Sequence, residues 1–579
     1  MKRILYALAF VSIFFTGCQK ELSFTNPGGS NTDPVTATLQ GNVVDENDNP
    51  ASGVTVTVGA KTVVTDAKGY FRIKNASLDK SASLVTATRA GYFKAFRVFS
   101  ASKATNHIRI KLLKKTLRGT LNSSAGGVVT LNDLSSVTFS ANTFSKASGA
   151  AYSGTVNVYA VSIDPTSPDI SETVPGSFLA NDKNGKKVIL ASYGMMAVEL
   201  ESTTGEKLQI SAGNTAFLSF VIPGGLQSSA PAQIPLWYVD ETTGIWKEEG
   251  TATKNGNFYT GTVKHFTYWN CDVPGETVNF TARFVNQDNQ PLVYTEVIIR
   301  PLTGYFSAHG FTDSLGEIHG PIPANTNLVL EVRAPSPCYN IIYGQNIGPF
   351  SSAVNLGTVT VNNTQSLVTI QGRLLNCSGS PVAYGFAEIV HANVVRYAST
   401  NANGNFSVSF ITCGQSVNTC QVTGIDSLAQ QQGTPATVPV TWPLTNTGDI
   451  TACGTSSIEF INYTLDGVTT NLSSLNQNDG FRATDSSGAN HVVLIWGYRN
   501  GPANIFFDFM TNGNPGTFPL AYINVNQINS GFIPPSDVTL TSHALLVGEF
   551  FEGTFSGQFK DVQNNTHTIS GSFRVRKQL

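Results

Sequence analysis

Three near-copies of one short string constrain what this chain can fold into. They are TDAKGYF at 65–71, TDSLGEI at 312–318 and TNANGNF at 400–406. Each follows a polar turn that ends in a proline, at Pro50, Pro291 and Pro381, and a glycine or alanine stands nine residues before that proline each time. The spacing from the proline to the later glycine varies. A fixed spacing followed by a variable one predicts a tight hairpin followed by loops of different length.

The residues between these marks alternate between apolar and polar side chains. In the first copy, Val54, Val56 and Val58 point one way, and the threonines between them point the other, as in a half-buried strand. An Asp or Asn side chain can bond to the backbone two residues further on, and glycine accepts a positive φ without steric cost. The repeated string is therefore predicted to be a turn between two strands.

A calcium loop is the alternative explanation of these polar residues. The stretch 45–49, with the sequence DENDN, comes closest to offering oxygen ligands at alternate positions. Pro50, however, stands where an EF-hand-type loop needs glycine, and its twelfth position is Val56 rather than Glu. The sequence favours the turn, and no metal ligand or cofactor is predicted anywhere in the chain.

The composition agrees with an all-β fold. Only 13% of the residues are charged, against about 25% in a typical soluble protein, and Gly, Thr, Ser and Asn take their place, which suits short strands and many turns. The 579 residues are too many for one core. We predict a tandem array of all-β domains, which the strand patterns suggest are β-sandwiches. A net charge of −2 provides no basic surface, so nucleic acid is not an expected partner.

Changes in pattern along the chain suggest seven segments. They are a lipoprotein signal peptide at 1–17, a flexible tether at 18–36, a β-sandwich at 37–115, a β-rich domain with a Trp-rich hairpin at 116–275, a second β-sandwich at 276–364, a third, disulfide-bearing β-sandwich at 365–454, and a C-terminal all-β domain at 455–579.

The first residues predict export and anchoring. Lys2 and Arg3 precede an apolar stretch of twelve residues, which is too short to span a bilayer. The sequence FTGC at 15–18 resembles a bacterial lipobox, which implies cleavage before Cys18 and lipidation of that residue; a plain signal peptide is the alternative. Lys20 and Glu21 resemble the export signal of surface lipoproteins. We expect an outer-membrane protein, lipid-anchored at the cell surface, with the periplasmic face as the alternative.

Two family resemblances follow from longer patterns. The pattern G-x-V-x-D…P…G-V-x-V…T-D-x-x-G-x-F at 39–73 resembles the carboxypeptidase regulatory-like domain, and the likeness is weaker at 278–362 and 367–454. The resemblance implies seven-stranded β-sandwiches of the immunoglobulin or transthyretin-like type. It implies no peptidase, because the chain has no H-x-x-E motif. The hairpin IPLWYVDETTGIWKEEG and the strand NFYTGTVKHFTYWNCD resemble a domain of the cartilage intermediate layer and astroprincin families, which supply no catalytic residues.

Six cysteines besides Cys18 are candidates for disulfides in an exported protein: Cys271, Cys338, Cys377, Cys413, Cys420 and Cys453. Four of them fall within 367–454, so two bridges are expected there and no free thiol is expected in the mature protein. The individual partners cannot be assigned from spacing.

Aromatic residues offer one candidate binding surface. Trp237, Trp246 and Trp269 could stack on sugars, or they could pack in the core, as cross-strand aromatic pairs commonly do. Trp496 and Tyr498 share one face of a strand and are predicted to be buried. His265 is predicted to be structural.

Motifs for catalysis are absent from the sequence. It contains no G-x-S-x-G, H-E-x-x-H or P-loop pattern. Asp240, Glu248 and Glu249 could pair in space as glycosidase carboxylates, which sequence cannot show. The leading hypothesis is a surface-exposed binding or adhesion protein with a glycan or protein ligand. The alternatives are a structural or accessory subunit of an outer-membrane glycan-uptake complex and, less favoured, a glycan-active enzyme.

Overall fold

The computed structural model describes residues 33–578, apart from residues 67, 303–306, 364–365, 384, 415–416, 427–428, 430, 455–458, 475–478, 487–490, 500–502 and 546–548. The predicted signal peptide, Cys18 and most of the predicted tether lie outside these residues. Strands make up 62% of the structure and helix 1%, so the all-β tandem array is confirmed. Within the described part, none of the helices is long and apolar enough to cross a membrane.

The first sandwich has seven strands: β1 (Pro34–Val44), β2 (Thr55–Val58), β3 (Lys61–Val64), β4 (Tyr70–Asp79), β5 (Ser83–Thr88), β6 (Ala95–Phe99) and β7 (Asn106–Lys111). A three-stranded sheet in the order β4-β1-β7 packs on a four-stranded sheet in the order β3-β2-β5-β6. The alternating valines of β2 point into the core between the sheets, as the sequence predicts. Strand β1 runs antiparallel to β4 and parallel to β7.

A larger unit follows, built on one sheet of 13 strands. Its strands are β8 (Leu117–Asn122), β9 (Gly127–Thr130), β10 (Ser136–Phe139), β11 (Phe144–Lys146), β12 (Thr155–Ile163), β13 (Leu179–Asn181), β14 (Lys187–Ser202), β15 (Lys207–Ile210), β16 (Ala216–Val221), β17 (Gln233–Val239), β18 (Trp246–Asn255), β19 (Phe258–Val263) and β20 (Tyr268–Gly275), with a helix α1 (Ile170–Thr173) and a 3-10 turn (Gly224–Leu226). The sheet encloses one core and presents a second apolar surface to the first sandwich.

Two further sandwiches repeat the plan of the first. The second has β21 (Thr277–Val285), β22 (Glu296–Pro301), β23 (Ala308–Phe311), β24 (Glu317–Pro323), β25 (Leu328–Arg333), β26 (Ile341–Ile347) and β27 (Val354–Thr360); the third has β28 (Leu367–Leu375), β29 (Phe386–His391), β30 (Val394–Ser399), β31 (Asn405–Ile411), β32 (Thr419–Asp426), β33 (Gln431–Gln432), β34 (Ala436–Pro439) and β35 (Leu444–Thr451). In each, the first strand lies between an antiparallel and a parallel neighbour, as in the first sandwich.

The C-terminal sheet has nine antiparallel strands: β36 (Phe460–Leu465), β37 (Val468–Ser473), β38 (Asp479–Asp485), β39 (His491–Arg499), β40 (Ala503–Thr511), β41 (Gly516–Val525), β42 (Ile528–Ser542), β43 (Phe550–Lys560) and β44 (Thr566–Arg576). Their order is β37-β36-β44-β43-β42-β41-β40-β39-β38. The sheet curls around an apolar core until its two ends approach each other. The Gln578 amide, just after β44, donates to the Ala483 carbonyl on β38 (2.9 Å).

The three repeated strings form the same turn, which confirms the structural interpretation. In the first, Asp66 Oδ1 accepts the backbone amides of Lys68 and Tyr70, both at 2.9 Å. Asp313 and Asn401 accept two amides each in the same way. The glycine that follows has a φ between +68° and +77° in all three copies. The turn therefore accounts for both repeated residues: the polar side chain accepts the backbone amides, and the glycine adopts the positive φ.

The threonine that opens each string ties the turn to the preceding hairpin. Thr65 Oγ1 donates to the Ala51 carbonyl (2.7 Å) and accepts the Val54 amide (2.9 Å). Thr312 and Thr400 make the equivalent two bonds in the other sandwiches. The carbonyl acceptor always belongs to the residue after the repeated proline, so both halves of the sequence repeat meet at one buried hydroxyl.

The stretch closest to a calcium loop is also a turn. Asp45 Oδ1 accepts the amides of Asn47 (2.8 Å) and Asn49 (2.9 Å). Asp48 has a φ of +64°, and its carboxylate lies on Arg109 and Lys111. The carboxylates are thus already engaged by amides and cationic side chains.

The first sandwich contacts the large unit and the second sandwich. Arg109 forms an ion pair with Glu172 of α1. On the other side, the His107 ring stacks on the Tyr294 ring, with centroids 4.9 Å apart. Burial lowers the pKa of His107 to about 3, so the imidazole in this contact is neutral.

The first sandwich also contacts the third sandwich and the C-terminal sheet. Asn42 Nδ2 donates to the Asn393 carbonyl (2.9 Å), and the Arg72 guanidinium lies 4.4 Å from the Tyr397 ring centroid. Lys74 donates to the Ser474 carbonyl. The first sandwich therefore touches all four other units.

The disulfides agree only in part with the sequence prediction. Cys377 and Cys453 are bridged inside the third sandwich, as expected of that segment. The expectation that the second bridge also lies within 367–454 is wrong, because Cys413 pairs with Cys338 of the second sandwich. The expectation of no free thiol is wrong as well. In the described chain, Cys271 and Cys420 are buried and unbridged, each packed into an apolar core.

Candidate functional site

The three tryptophans proposed as a binding surface are buried. Trp237, Trp246 and Trp269 have no exposed surface. Each indole N–H donates to a backbone carbonyl: those of Asp272, Ser177 and His265 respectively. Trp269 packs in the core of the large unit, and the other two pack between that unit and the first sandwich. The binding-surface alternative is wrong for these residues, since both faces of their sheet are covered.

The carboxylates that could have paired as glycosidase acids are engaged separately. Asp240 bonds to Lys247 and Thr242. Glu248 accepts the Lys183 amide (3.0 Å), and Glu249 lies 3.7 Å from His265 Nε2. His265 packs edge-on against Tyr238, at 4.7 Å between centroids, which fits a structural role.

A partly open cavity of about 150 Å³ lies where the first sandwich, the large unit and the second sandwich meet. Its lining is mostly apolar. The buried Arg97 donates to the carbonyls of Val174 (2.7 Å) and Arg109 (3.3 Å). Since this guanidinium is already engaged by backbone carbonyls and the rest of the lining is mostly apolar, the cavity has the character of a packing junction.

The outer surface of the C-terminal sheet carries an aromatic patch instead. Strands β39, β40 and β41 alternate, and Ile495, Phe507 and Ile523 are fully buried. Their neighbours therefore point outward. We call the outward set the aromatic face; it consists of Trp496, Phe506 and Tyr522 with Arg482, Asp508 and Asn524.

The aromatic face is a continuous cross-strand row. Trp496 pairs with Phe506, at 5.0 Å between ring centroids, and the Phe506 ring lies 6.0 Å from that of Tyr522. The Arg482 guanidinium lies 5.2 Å from the Trp496 ring centroid. Because neighbouring strands lie about 4.8 Å apart, the three rings cover about 10 Å across the sheet. None of these rings belongs to the apolar core inside the sheet.

The prediction that Trp496 and Tyr498 are buried is wrong. Tyr498 is 37% exposed and Trp496 is half-buried, because their strand presents the odd-numbered residues to the core. Tyr522 is 36% exposed and Met510, on the same outward side, is 61% exposed. Large apolar side chains grouped on a solvent-facing surface mark interaction sites in soluble proteins.

Two oxygen atoms beneath the rings are unsatisfied. Among the described residues, Asp508 Oδ1 and Asn524 Oδ1 have no hydrogen-bond partner. Burial raises the pKa of the Asp508 carboxyl, against the lowering effect of the Tyr522 amide. Buried polar atoms normally have partners. Neither oxygen reaches solvent in this conformation, so an incoming donor needs a small movement of the side chains around them.

A groove of about 620 Å³ lies further round the same outer surface. It is lined by small hydroxyl side chains in facing pairs. Thr464 and Thr469 are 2.9 Å apart between hydroxyl oxygens, and Thr517 and Thr539 are 3.0 Å apart. Strand β41 takes part in both the groove and the aromatic face. The outer surface of this sheet thus combines exposed rings with rows of hydroxyl groups.

Comparisons with known proteins show only partial similarity. No protein-family model matches the sequence. Human cartilage intermediate layer protein 2 is 24% identical over 227 residues, covering 35% of this chain and 19% of that protein. The mouse protein of the same name is 26% identical over 158 residues, covering 26% and 13%. This chain spans less than a fifth of the length of either relative.

Similar solved structures have low TM-scores. A streptococcal ancillary pilin covers 39% of this chain and 95% of its own, with 12% identity and a TM-score of 0.13. The shaft pilin SpaA from Lactobacillus rhamnosus GG covers 31% and 99%, with 11% identity and a TM-score of 0.17. The TIE protein of Bacillus anthracis covers 68% and 69%, with 8% identity and a TM-score of 0.15. Scores this low establish no shared function.

Proposed function

We propose that this chain is a carbohydrate-binding lipoprotein, exposed at the surface of the outer membrane, that holds its ligand on the aromatic face of the C-terminal sheet. One observation carries the proposal: Trp496, Phe506 and Tyr522 stand side by side on the solvent side of the sheet, with two oxygens on the same face that lack a hydrogen-bond partner in the described part of the chain. The role is binding without catalysis.

The chemistry of the face suits sugars. A pyranose ring has an apolar surface of C–H groups that stacks on aromatic rings, and hydroxyl groups around its edge. Arg482 supplies donors at one end of the row, and Asp508 and Asn524 supply acceptors beneath it. The hydroxyl-lined groove can continue the contact along a longer chain. A ligand with both apolar faces and many hydroxyl groups uses all of these features.

The anchoring part of the proposal rests on the sequence. The stretch at 15–18 resembles a lipobox, and Lys20 and Glu21 resemble a surface-export signal. The two disulfides are consistent with an oxidising compartment outside the cytoplasm. The three sandwiches, which resemble carboxypeptidase regulatory-like domains, would then act as the stalk that holds the binding sheet away from the membrane.

The test is a binding screen with the full chain on immobilised polysaccharides and oligosaccharides. Trp496→Ala and Phe506→Ala should each weaken binding by about tenfold or more, which corresponds to about 1.4 kcal/mol. Phe217→Ala is the matched control, since Phe217 is an exposed phenylalanine (43%) on the large unit. A screen without any bound glycan, or a Trp496→Ala variant that binds like the wild type, would rule the proposal out.

A second role is favoured by Met510. Its flexible, polarisable side chain is strongly exposed beside the rings, and methionine is enriched in protein contacts. The chain would then be a structural or accessory subunit of an envelope complex, for example in glycan uptake. In that case Met510→Ser should reduce cross-linking to a protein partner in intact cells, while the binding of glycans stays unchanged.

A further inference from the structure

A polar cluster lies at one open end of the curled C-terminal sheet, on its inner side. Asp485 ends β38, His491 begins β39, and His543 follows β42. The inward positions of β38 and β39 are the odd-numbered residues, so Asp485 and His491 face the interior. Sequence separations of up to 58 residues hide this grouping, which only the closure of the sheet creates.

The three side chains offer ligand atoms that lie within 4.8 Å of one another. The Asp485 carboxylate oxygens are 2.9 and 3.0 Å from His491 Nδ1, and the two imidazole centroids are 5.3 Å apart. His543 is only 9% exposed. Its Nε2 lies 2.9 Å from Thr511 Oγ1, whereas its Nδ1 has no hydrogen-bond partner among the described residues.

We propose that Asp485, His491 and His543 bind one divalent transition-metal ion of the zinc class. Two imidazoles and one carboxylate are the donor set that zinc commonly takes from a protein, with a fourth position left for water. Tetrahedral ligands about 2.1 Å from a zinc ion lie about 3.4 Å apart. The atoms that stand as far as 4.8 Å apart must therefore close in by up to about 1.4 Å, and the Asp485 oxygens and His491 Nδ1, at 2.9 and 3.0 Å, must separate slightly.

Lys577 competes for the same carboxylate. Its Nζ lies 3.0 Å from Asp485 Oδ2 and 3.1 Å from the Leu545 carbonyl. A bound cation must displace this ammonium group from Asp485 or accept its repulsion. Removing the ammonium while keeping the length of the side chain should therefore strengthen metal binding. A variant of Lys577 is therefore expected to bind the metal more tightly. A variant that is merely misfolded would bind it more weakly.

The experiment is a titration of the metal-free full chain with Zn²⁺ by calorimetry, and with Co²⁺ by visible absorption. We expect one ion per chain and a Co²⁺ spectrum of low-coordinate type. His491→Ala and His543→Gln should each weaken binding by at least tenfold, and Lys577→Met should tighten it by about threefold or more.

His567→Ala is the control, because His567 lies on the same sheet but outside the cluster, between the carboxylates of Asp466 and Asp561. It should bind like the wild type. Circular dichroism and the melting temperature without metal identify any variant that has not folded. The proposal is wrong if the wild type binds no ion, if His491→Ala leaves the affinity unchanged, or if the site disappears in His567→Ala.

Discussion

Gly69 lies against the carbonyl oxygen of Val43, so closely that a Cβ at this position would come within 2.2 Å of that oxygen. The Val43 amide in turn donates to the Gly69 carbonyl (2.8 Å). The same approach recurs at Gly316 and Gly404, where a Cβ would meet a carbonyl at 2.4 and 2.7 Å. Glycine is thus required at this position for two reasons: the backbone has a positive φ, and the neighbouring strand leaves no room for a Cβ.

Replacing this glycine should separate the two requirements. Gly69→Ala should lower the unfolding free energy of the first sandwich by about 2–5 kcal/mol, from the strained φ and the collision together. Gly53 has a similar φ of +71° but open space around it. Gly53→Ala should therefore cost only about 1–2 kcal/mol. Calorimetry of the full chain measures both, and equal losses would show that the close approach is unimportant.

The threonine of the repeat should matter almost as much. Thr65→Val keeps the shape of the side chain but leaves the Ala51 carbonyl and the Val54 amide buried without a partner. Each unsatisfied group costs about 1–3 kcal/mol, so we expect a loss of about 2–4 kcal/mol. Thr57→Val is the control, since the Thr57 hydroxyl lies near the surface and bonds to the Thr62 hydroxyl. It should change stability by less than about 0.5 kcal/mol. Similar losses of stability in both variants would contradict a special role for the two buried hydrogen bonds of Thr65.

The thiols can be checked chemically. Peptide mapping of the unreduced protein should recover Cys338 linked to Cys413 and Cys377 linked to Cys453. Cys271 and Cys420 should react with an alkylating reagent only after denaturation. Burial raises the pKa of both thiols, that of Cys420 to about 11, which removes the reactive thiolate at neutral pH. Labelling of either thiol in the native protein, or a bridge that contains one, would be incompatible with this structure.

Asp272 should make the large unit less stable at higher pH. It is fully buried and bonds to Asn270, and burial raises the pKa of its carboxyl well above the usual range. Above the ordinary pKa of about 3.9, the folded state holds a proton that the unfolded state has lost, so stability falls as the pH rises toward the folded pKa.

The amide variant removes this penalty. Asp272→Asn should raise the melting temperature more at pH 7.5 than at pH 4, because only the wild type loses stability over that interval. Asp537→Asn, on the exposed outer surface of the C-terminal sheet, controls for the loss of one carboxylate. A gain for Asp272→Asn that is the same at both pH values would mean that the carboxyl does not titrate in this way.

Local features were predictable from the sequence because their causes are local. The turn of the repeat needs only a side-chain acceptor at Asp66 and a residue that tolerates positive φ at Gly69. Both residues belong to the repeated string, so they can be recognised in the sequence. The bridge between Cys338 and Cys413 depends instead on how the third sandwich rests on the second. Cysteine spacing contains no information about that placement.

The faces of the aromatic strands could not be predicted for a similar reason. Strand β17 is covered on both sides, with Leu236 in one core and Trp237 in another. Strand β40 carries Phe507 inward and Phe506 outward, so it reads as apolar on both faces. Alternation fixes which residues share a face but not which face meets solvent. The one signal in the sequence was that such strands carry apolar residues at both odd and even positions, which indicates that neither face is purely polar.

The parallel pairing of the first and last strands has a mechanical consequence for each sandwich. In the first, β1 and β7 are joined by six facing pairs, from Leu39 with Asn106 to Val44 with Lys111. The start of β1 and the end of β7 point in opposite directions. Tension along the chain therefore slides the two strands lengthwise past each other, and the bonds of the ladder share the load instead of opening one after another. Strands β21 with β27 and β28 with β35 repeat this geometry. A molecule held at one end and pulled at the other would load two such ladders in shear, whereas in the third sandwich the Cys377–Cys453 disulfide joins the ends of β28 and β35 and carries the load covalently.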